Sequence, residues 1–248
     1  MPMRSRSLLN VLAVPVVAMT FGSIWPCPVF SQTFEQLIAA CSGTNATPDE
    51  QIAGCTGLIR SGRGTPKGLA EAHYNRGNAY RNKHDAAHAI ADYDEAIRYN
   101  PAMAVAFGNR GGAYQEEGQY ERAVADYDEA IRLNPAGAVP LRNRCWTRAI
   151  LGQLPQALDD CNESLRVRPA DAVTLVARGF VYLKSGALAE AIADYDAVLR
   201  TNPNAAVPLY GRGVARQRQG DAGGAADIAA ARTVNAAIAD QFARFGVQ

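Results

Sequence analysis

A period of 34 residues constrains this chain more than any other feature. The triplet Asn75-Arg76-Gly77 returns as Asn109-Arg110-Gly111, Asn143-Arg144-Cys145, Ala177-Arg178-Gly179 and Gly211-Arg212-Gly213. Pro101, Pro135, Pro169 and Pro203 keep the same interval. A fixed spacing without insertions means stacked copies of one supersecondary unit, because a single copy cannot bury its own apolar face. In the copy that begins at Ala104 (position 1), Phe107, Arg110, Gly111 and Tyr114 follow the i, i+3, i+4, i+7 spacing of one helical face. Gly118 at position 15 stops that helix, as glycine does at a left-handed site just past a helix C-terminus. A second helix runs to Asn134, where Pro135 closes it.

Position 20 is read as Ala in all five units (Ala89, Ala123, Ala157, Ala191 and Ala225), and position 8 is Gly in four. Small residues at both places let two antiparallel helices approach, with Tyr93, Tyr127 and Tyr195 at position 24 filling the space beside them. The pattern resembles the tetratricopeptide repeat (TPR), a helix–turn–helix with Leu-Gly…Tyr, then Ala, an aromatic and Pro. The resemblance covers residues 70 to about 233. It implies an all-α fold: a right-handed α-solenoid of helix–turn–helix repeats with N- and C-terminal capping helices. The units are 70–103, 104–137, 138–171, 172–205 and a degenerate 206–233. One departure is consistent: position 7, usually Leu in the family, is Arg in every unit. Asp92, Asp126, Asp160 and Asp194 recur at position 23, which predicts a row of ion pairs within or between units. In the fifth unit Ile228 stands at position 23, Ala229 where Tyr is expected and Arg232 at the small position 27, so one Arg of the row is expected to lack an Asp under either pairing.

The flanks differ from the repeats. Arg4 and Arg6 precede an apolar run from Leu8 to Ile24, and Val29-Phe30-Ser31 suits cleavage, so residues 1–31 read as a secretory signal peptide. An uncleaved anchor is the alternative, weakened by Asn10, Pro15 and Thr20 within the run. Cleavage leaves no stable membrane span and 23 basic against 24 acidic residues. Export, to a periplasmic or secreted location, changes how the cysteines read. Four remain after Cys27 is removed, and an even number in an oxidising compartment suggests two disulfides. Cys145 and Cys161 replace Gly and Tyr together at positions 8 and 24, which suggests a bond across that hairpin, with two buried free thiols as the alternative. Cys41 and Cys55 would then staple a helical pair within 32–69, where Thr47-Pro48-Asp49-Glu50 is a capping-box start. Residues 234–248 hold a final capping helix with Ile238, Phe242 and Phe245 on one face.

Little in the sequence suggests catalysis. His84-Asp85-Ala86-Ala87-His88 resembles a zincin motif, but Asp replaces the Glu base and His84 sits at the helix-stopping position 15. The repeated Asp-Tyr-Asp-Glu keeps the structural period, which fits a solvated face and structural pairs better than acid–base work. His73, at position 4, reads as a packed helix residue. No metal, cofactor or catalytic residue is assigned. A formal charge of +1 leaves no electrostatic footprint for nucleic acid.

The family resemblance points instead to a concave face lined by the first helices, with positions 2, 5, 6, 9, 12 and 13 pointing into it. On this chain those places give a polar end and an apolar end. Asn75, Asn78, Asn109 and Asn143 mark the first, and Trp146, Phe180 and Tyr210 the second. Asn at position 6 in three successive units resembles the asparagine ladder of O-linked N-acetylglucosamine transferase repeats, which holds a peptide backbone; local capping or packing is the alternative. The expected function is a non-catalytic scaffold that binds a peptide or protein segment, as a monomer. An accessory subunit of an envelope enzyme complex and a self-associating structural protein are the alternatives.

Overall fold

The computed structural model describes residues 33–43 and 45–247, so the expected signal peptide lies outside the described residues. Among these residues every regular element is an α-helix. A first hairpin joins α1 (Phe34–Ser42) and α2 (Pro48–Ser61). Five further hairpins pair α3 (Pro66–Asn82) with α4 (Ala86–Tyr99), α5 (Ala104–Glu116) with α6 (Tyr120–Leu133), α7 (Ala138–Ile150) with α8 (Leu154–Val167), α9 (Ala172–Ser185) with α10 (Leu188–Leu199), and α11 (Ala206–Arg218) with α12 (Gly223–Val234). A short α13 (Ile238–Arg244) follows. Each helix packs on the next in sequence, giving an all-α solenoid of repeats.

Local chemistry sets the helix ends. Thr33 with Gln36 and Thr47 with Glu50 form reciprocal capping boxes at α1 and α2. The turn inside each repeat is left-handed, at Gly118, Gly152, Gly186 and Gly220 with φ between 73° and 81°. In the first unit His84 takes that place at φ 58°, a region where a Cβ crowds the following carbonyl. His84 therefore stands in a turn while His88 lies in α4, bonded through Nδ1 to Asp85 at 2.7 Å.

Positions 8 and 24 face one another across each hairpin. A Cβ added at Gly77, Gly111 or Gly179 would come within 2.9 Å of the Tyr93, Tyr127 or Tyr195 ring. All three rings are fully buried. In the third unit the Cys145 and Cys161 sulfurs stand 1.96 Å apart at this same contact. Cys41 and Cys55 stand 2.00 Å apart between α1 and α2.

The Arg row is two-sided. Arg76, Arg110, Arg144 and Arg178 each grip the position-23 Asp of their own unit through Nε and Nη2, at 2.5 to 2.9 Å. The remaining Nη1 reaches back to the preceding hairpin: to Thr56 from Arg76, Asp94 from Arg110, Asp128 from Arg144 and Asn162 from Arg178. One planar guanidinium thus closes its own hairpin and ties it to its neighbour, a use for which Lys lacks the fork geometry. Burial alone would raise the Asp92 carboxyl, but hydrogen bonds from His73 and Arg76 outweigh it and hold it below the ordinary carboxylate value. His73 is packed as expected, stacked on Tyr99 and 2.9 Å from Asp92.

The fifth unit corrects the sequence reading. Arg212 does have a bidentate partner, Asp227, with both bonds at 2.7 Å, and its Nη1 reaches Asp196. Ile228, not Ala229, fills the place of the tyrosine, since a Cβ on Gly213 would meet its Cγ1 at 2.7 Å. Gly224 rather than Ala225 lies at the close approach, and Ala231 rather than Arg232 takes the small buried place. The cause is a turn shorter by one residue: four steps lead from Gly220 to Gly224, against five from Gly186 to Ala191.

Candidate functional site: the inner face

The first helices of successive units touch one another, α3 with α5, α5 with α7, α7 with α9 and α9 with α11. Among the described residues no such contact joins α4, α6, α8, α10 and α12 in turn. The odd-numbered helices therefore line the narrower, inner side of the stack, which carries the face expected to bind.

At its first end the amides are already engaged. Asn109 donates through Nδ2 to Asn78 Oδ1 at 2.8 Å and to the Tyr74 hydroxyl at 3.1 Å. Tyr93 also donates to Asn78 Oδ1, at 2.7 Å. Both Asn109 donors are therefore taken, which leaves its Oδ1 without a partner among the described residues. Asn143 Oδ1 accepts a long bond from Arg142 Nε at 3.4 Å. Asn75 is half-buried and borders a separate hollow of about 320 Å³ between α1, α2 and α3, beside Phe34, Ile38 and Leu69.

The exposed apolar side chains of this face keep the repeat period. Val105, Val139 and Val173, each at position 2, are 53%, 41% and 57% exposed. Two grooves run between them. One of about 240 Å³ is bordered by Tyr74, Val105, Asn109, Val139 and Asn143. The other, about 290 Å³, is bordered by Gln115, Asn143, Trp146, Val173, Val176 and Val207. Val105, Val139, Val173 and Val207 all stand at position 2, one of the places expected to point into this face.

At the far end the predicted residues come together but are covered. Phe180 is 1% and Tyr210 7% exposed, because α13 lies against them. Phe242 stands 4.7 Å from the Tyr210 ring and 5.8 Å from Phe180. Phe245 stands 6.0 Å from Trp146, which itself packs 4.7 Å from Phe180 and stays half-exposed. Phe180 and Tyr210 are thus inner-face residues occupied by the chain's own C-terminal segment.

Among the described residues no three His, Cys, Asp or Glu side chains gather as a metal site. No described helix is long and apolar enough to cross a membrane.

Comparison with known proteins agrees with this geometry. The tetratricopeptide repeat family model matches residues 70–103 and 104–136. No curated protein gives a match. Among solved structures, a tetratricopeptide repeat protein from Parabacteroides merdae superposes with a TM-score of 0.68 at 19% identity, over 86% of this chain and 89% of that one. YrrB, described as a TPR protein with an unusual peptide-binding site, gives 0.58 at 20% identity, over 73% and 92%. PilW, a type IV pilus biogenesis factor, gives 0.61 at 17% identity, over 67% and 77%. These likenesses are of fold, an all-α solenoid of repeats, two of which match the tetratricopeptide repeat.

Proposed function

We propose that the protein is a non-catalytic scaffold that binds a segment of another protein along the open inner face of its first four repeats. The observation that carries this reading is the row of exposed Val105, Val139 and Val173, one per repeat. Single exposed aliphatics are ordinary, but a row in register beside Asn109 and Asn143 combines apolar contact for side chains with amide oxygens for backbone N–H groups. A peptide-binding site in a fold neighbour, YrrB, is in keeping with this. Export to the periplasm or beyond belongs to the same proposal. It is supported by the signal-like residues 1–31 and by two cysteine pairs at bonding distance, which persist as disulfides in oxidising compartments. Monomeric action and cleavage of residues 1–31 complete the reading.

The test is a crosslinking pull-down of the mature protein from its own compartment, with wild type and Val105→Asp/Val139→Asp side by side. The reading expects a partner captured by wild type and lost with the double variant, whose helical content is unchanged. Equal capture by both would refute it.

A further inference from the structure

We propose that the C-terminal segment Ile238–Val247 is a built-in occupant of the partner groove. In this reading a partner displaces it with a short helix of the same pattern: an aliphatic residue, then aromatics four and seven positions later on one face. This rests on the reading of the inner face as a protein-binding surface and names the partner's chemistry at one end of it.

Three observations carry the inference. The rings of Phe242 in α13 and of Phe245 just after it meet residues from three successive repeats, Trp146 of α7, Phe180 of α9 and Tyr210 of α11. A helix that merely closed the last hairpin would cover α11 and α12 alone, whereas this one lies along the inner face across α7, α9 and α11. Next, α13 has only seven residues and no side-chain cap at its N-terminus. A helix so short is not stable alone in water, so the groove supplies its order. Finally, the groove continues past it: Trp146 borders the open 290 Å³ hollow on one side and packs near Phe245 on the other. A segment bound in the open groove therefore arrives at the edge of α13 and shares a wall with it.

Ile238, Phe242 and Phe245 present one face of a helix, and the first two are almost fully buried. The pocket they fill, made of Trp146, Phe180, Tyr210 and Val214, selects bulky apolar side chains at that spacing. Occupation by the chain's own tail lowers apparent affinity for any competitor by the fraction of molecules in which the groove is free, so weakening the tail should strengthen outside binding.

The probe is a labelled synthetic peptide copying residues 235–248, titrated by fluorescence anisotropy into the full chain. Wild type should bind it weakly and Phe242→Ala/Phe245→Ala at least tenfold tighter, while a peptide with both Phe replaced by Ala binds neither. Should the double variant lose helical content, Phe245→Ala alone is used, since Phe245 is only half-buried. It should show the same direction at severalfold. Equal affinity of wild type and a folded variant, or no binding by that variant, would overturn the inference. The pull-down separates this failure from failure of the scaffold reading. Partner capture lost with Val105→Asp/Val139→Asp but unchanged by the Phe variants leaves the scaffold and removes the displaceable tail. Tight probe binding with capture indifferent to the valines removes the scaffold reading of the open face and keeps the occupied groove.

Discussion

The two ends of the inner face share one backbone plan and differ in what fills it. From Cys145 to Val247 a continuous apolar core runs through three repeats and α13. Toward the N-terminus the buried apolar residues fall into smaller clusters around Cys41 and Cys55, Tyr93, and Tyr127. Polar side chains make the difference. The Tyr93 hydroxyl finds Asn78 at position 9 and the Tyr127 hydroxyl finds Gln115 at position 12. In the fourth repeat these positions are Phe180 and Leu183, and the Tyr195 hydroxyl is buried with no partner among the described residues. A repeat can thus hold the same ring at the same contact while its neighbours decide whether the hydroxyl is satisfied. The polar end is left uncovered, and the apolar end is closed by the chain itself.

The largest expected effect breaks that comparison at position 9. Phe180→Ala should destabilise by about 3–5 kcal/mol, because it opens a cavity under both Trp146 and Phe242. Asn78→Ala, at the equivalent place, should cost only about 1–2 kcal/mol, the loss of hydrogen bonds from Tyr93 and Asn109. Denaturant melts of both variants decide it, and equal losses would mean the two ends are not built differently.

A second contrast sits at position 24. Tyr93→Phe should lose about 1 kcal/mol with its bond to Asn78, whereas Tyr195→Phe should be neutral or stabilising because it removes an unpaired buried hydroxyl. Destabilisation by both to the same extent would show that the Tyr195 hydroxyl is satisfied in solution.

Much of this plan was legible in the sequence, and the parts that were not have identifiable reasons. The 34-residue period, the Gly–Tyr contact and its replacement by Cys145 and Cys161 could be read because they recur at fixed register. The one-residue shift in the fifth repeat was hidden by its alanines: with Ala222, Ala225, Ala226, Ala229, Ala230 and Ala231 available, a small residue falls at the required place in more than one register. The apolar stripe of α13 was visible, but its target was not, since periodicity shows which face a helix buries and not what it buries it against. The engagement of Asn109 by Tyr74 and Asn78 joins residues 35 and 31 apart, and only the stacked units bring them together.

Acid should act on the Arg row at its N-terminal end. The Asp92 carboxyl is held below its unfolded value, near 3.9. Its contribution is therefore fully present above that value and is lost as pH falls through the lower folded one. Wild type should lose more stability than Asp92→Asn between about pH 5 and 2 in urea titrations. Parallel pH profiles would contradict it. The smallest effect concerns the first turn. His84→Gly should stabilise by about 1 kcal/mol by relieving the left-handed backbone, while Gly118→His in the second repeat should cost a similar amount. Opposite signs in thermal melts are the expected result.

The central claim is that the inner face, along its valine row, receives a protein segment. The most direct measurement places a photo-crosslinking amino acid at Val139 on the inner face or at Arg132 on α6, exposed beside Glu129. Both variants are irradiated in the protein's own compartment. The account predicts one discrete adduct from position 139 and none from position 132. The same adduct from position 132, with none from position 139, would contradict it and move the binding surface to the opposite side of the stack.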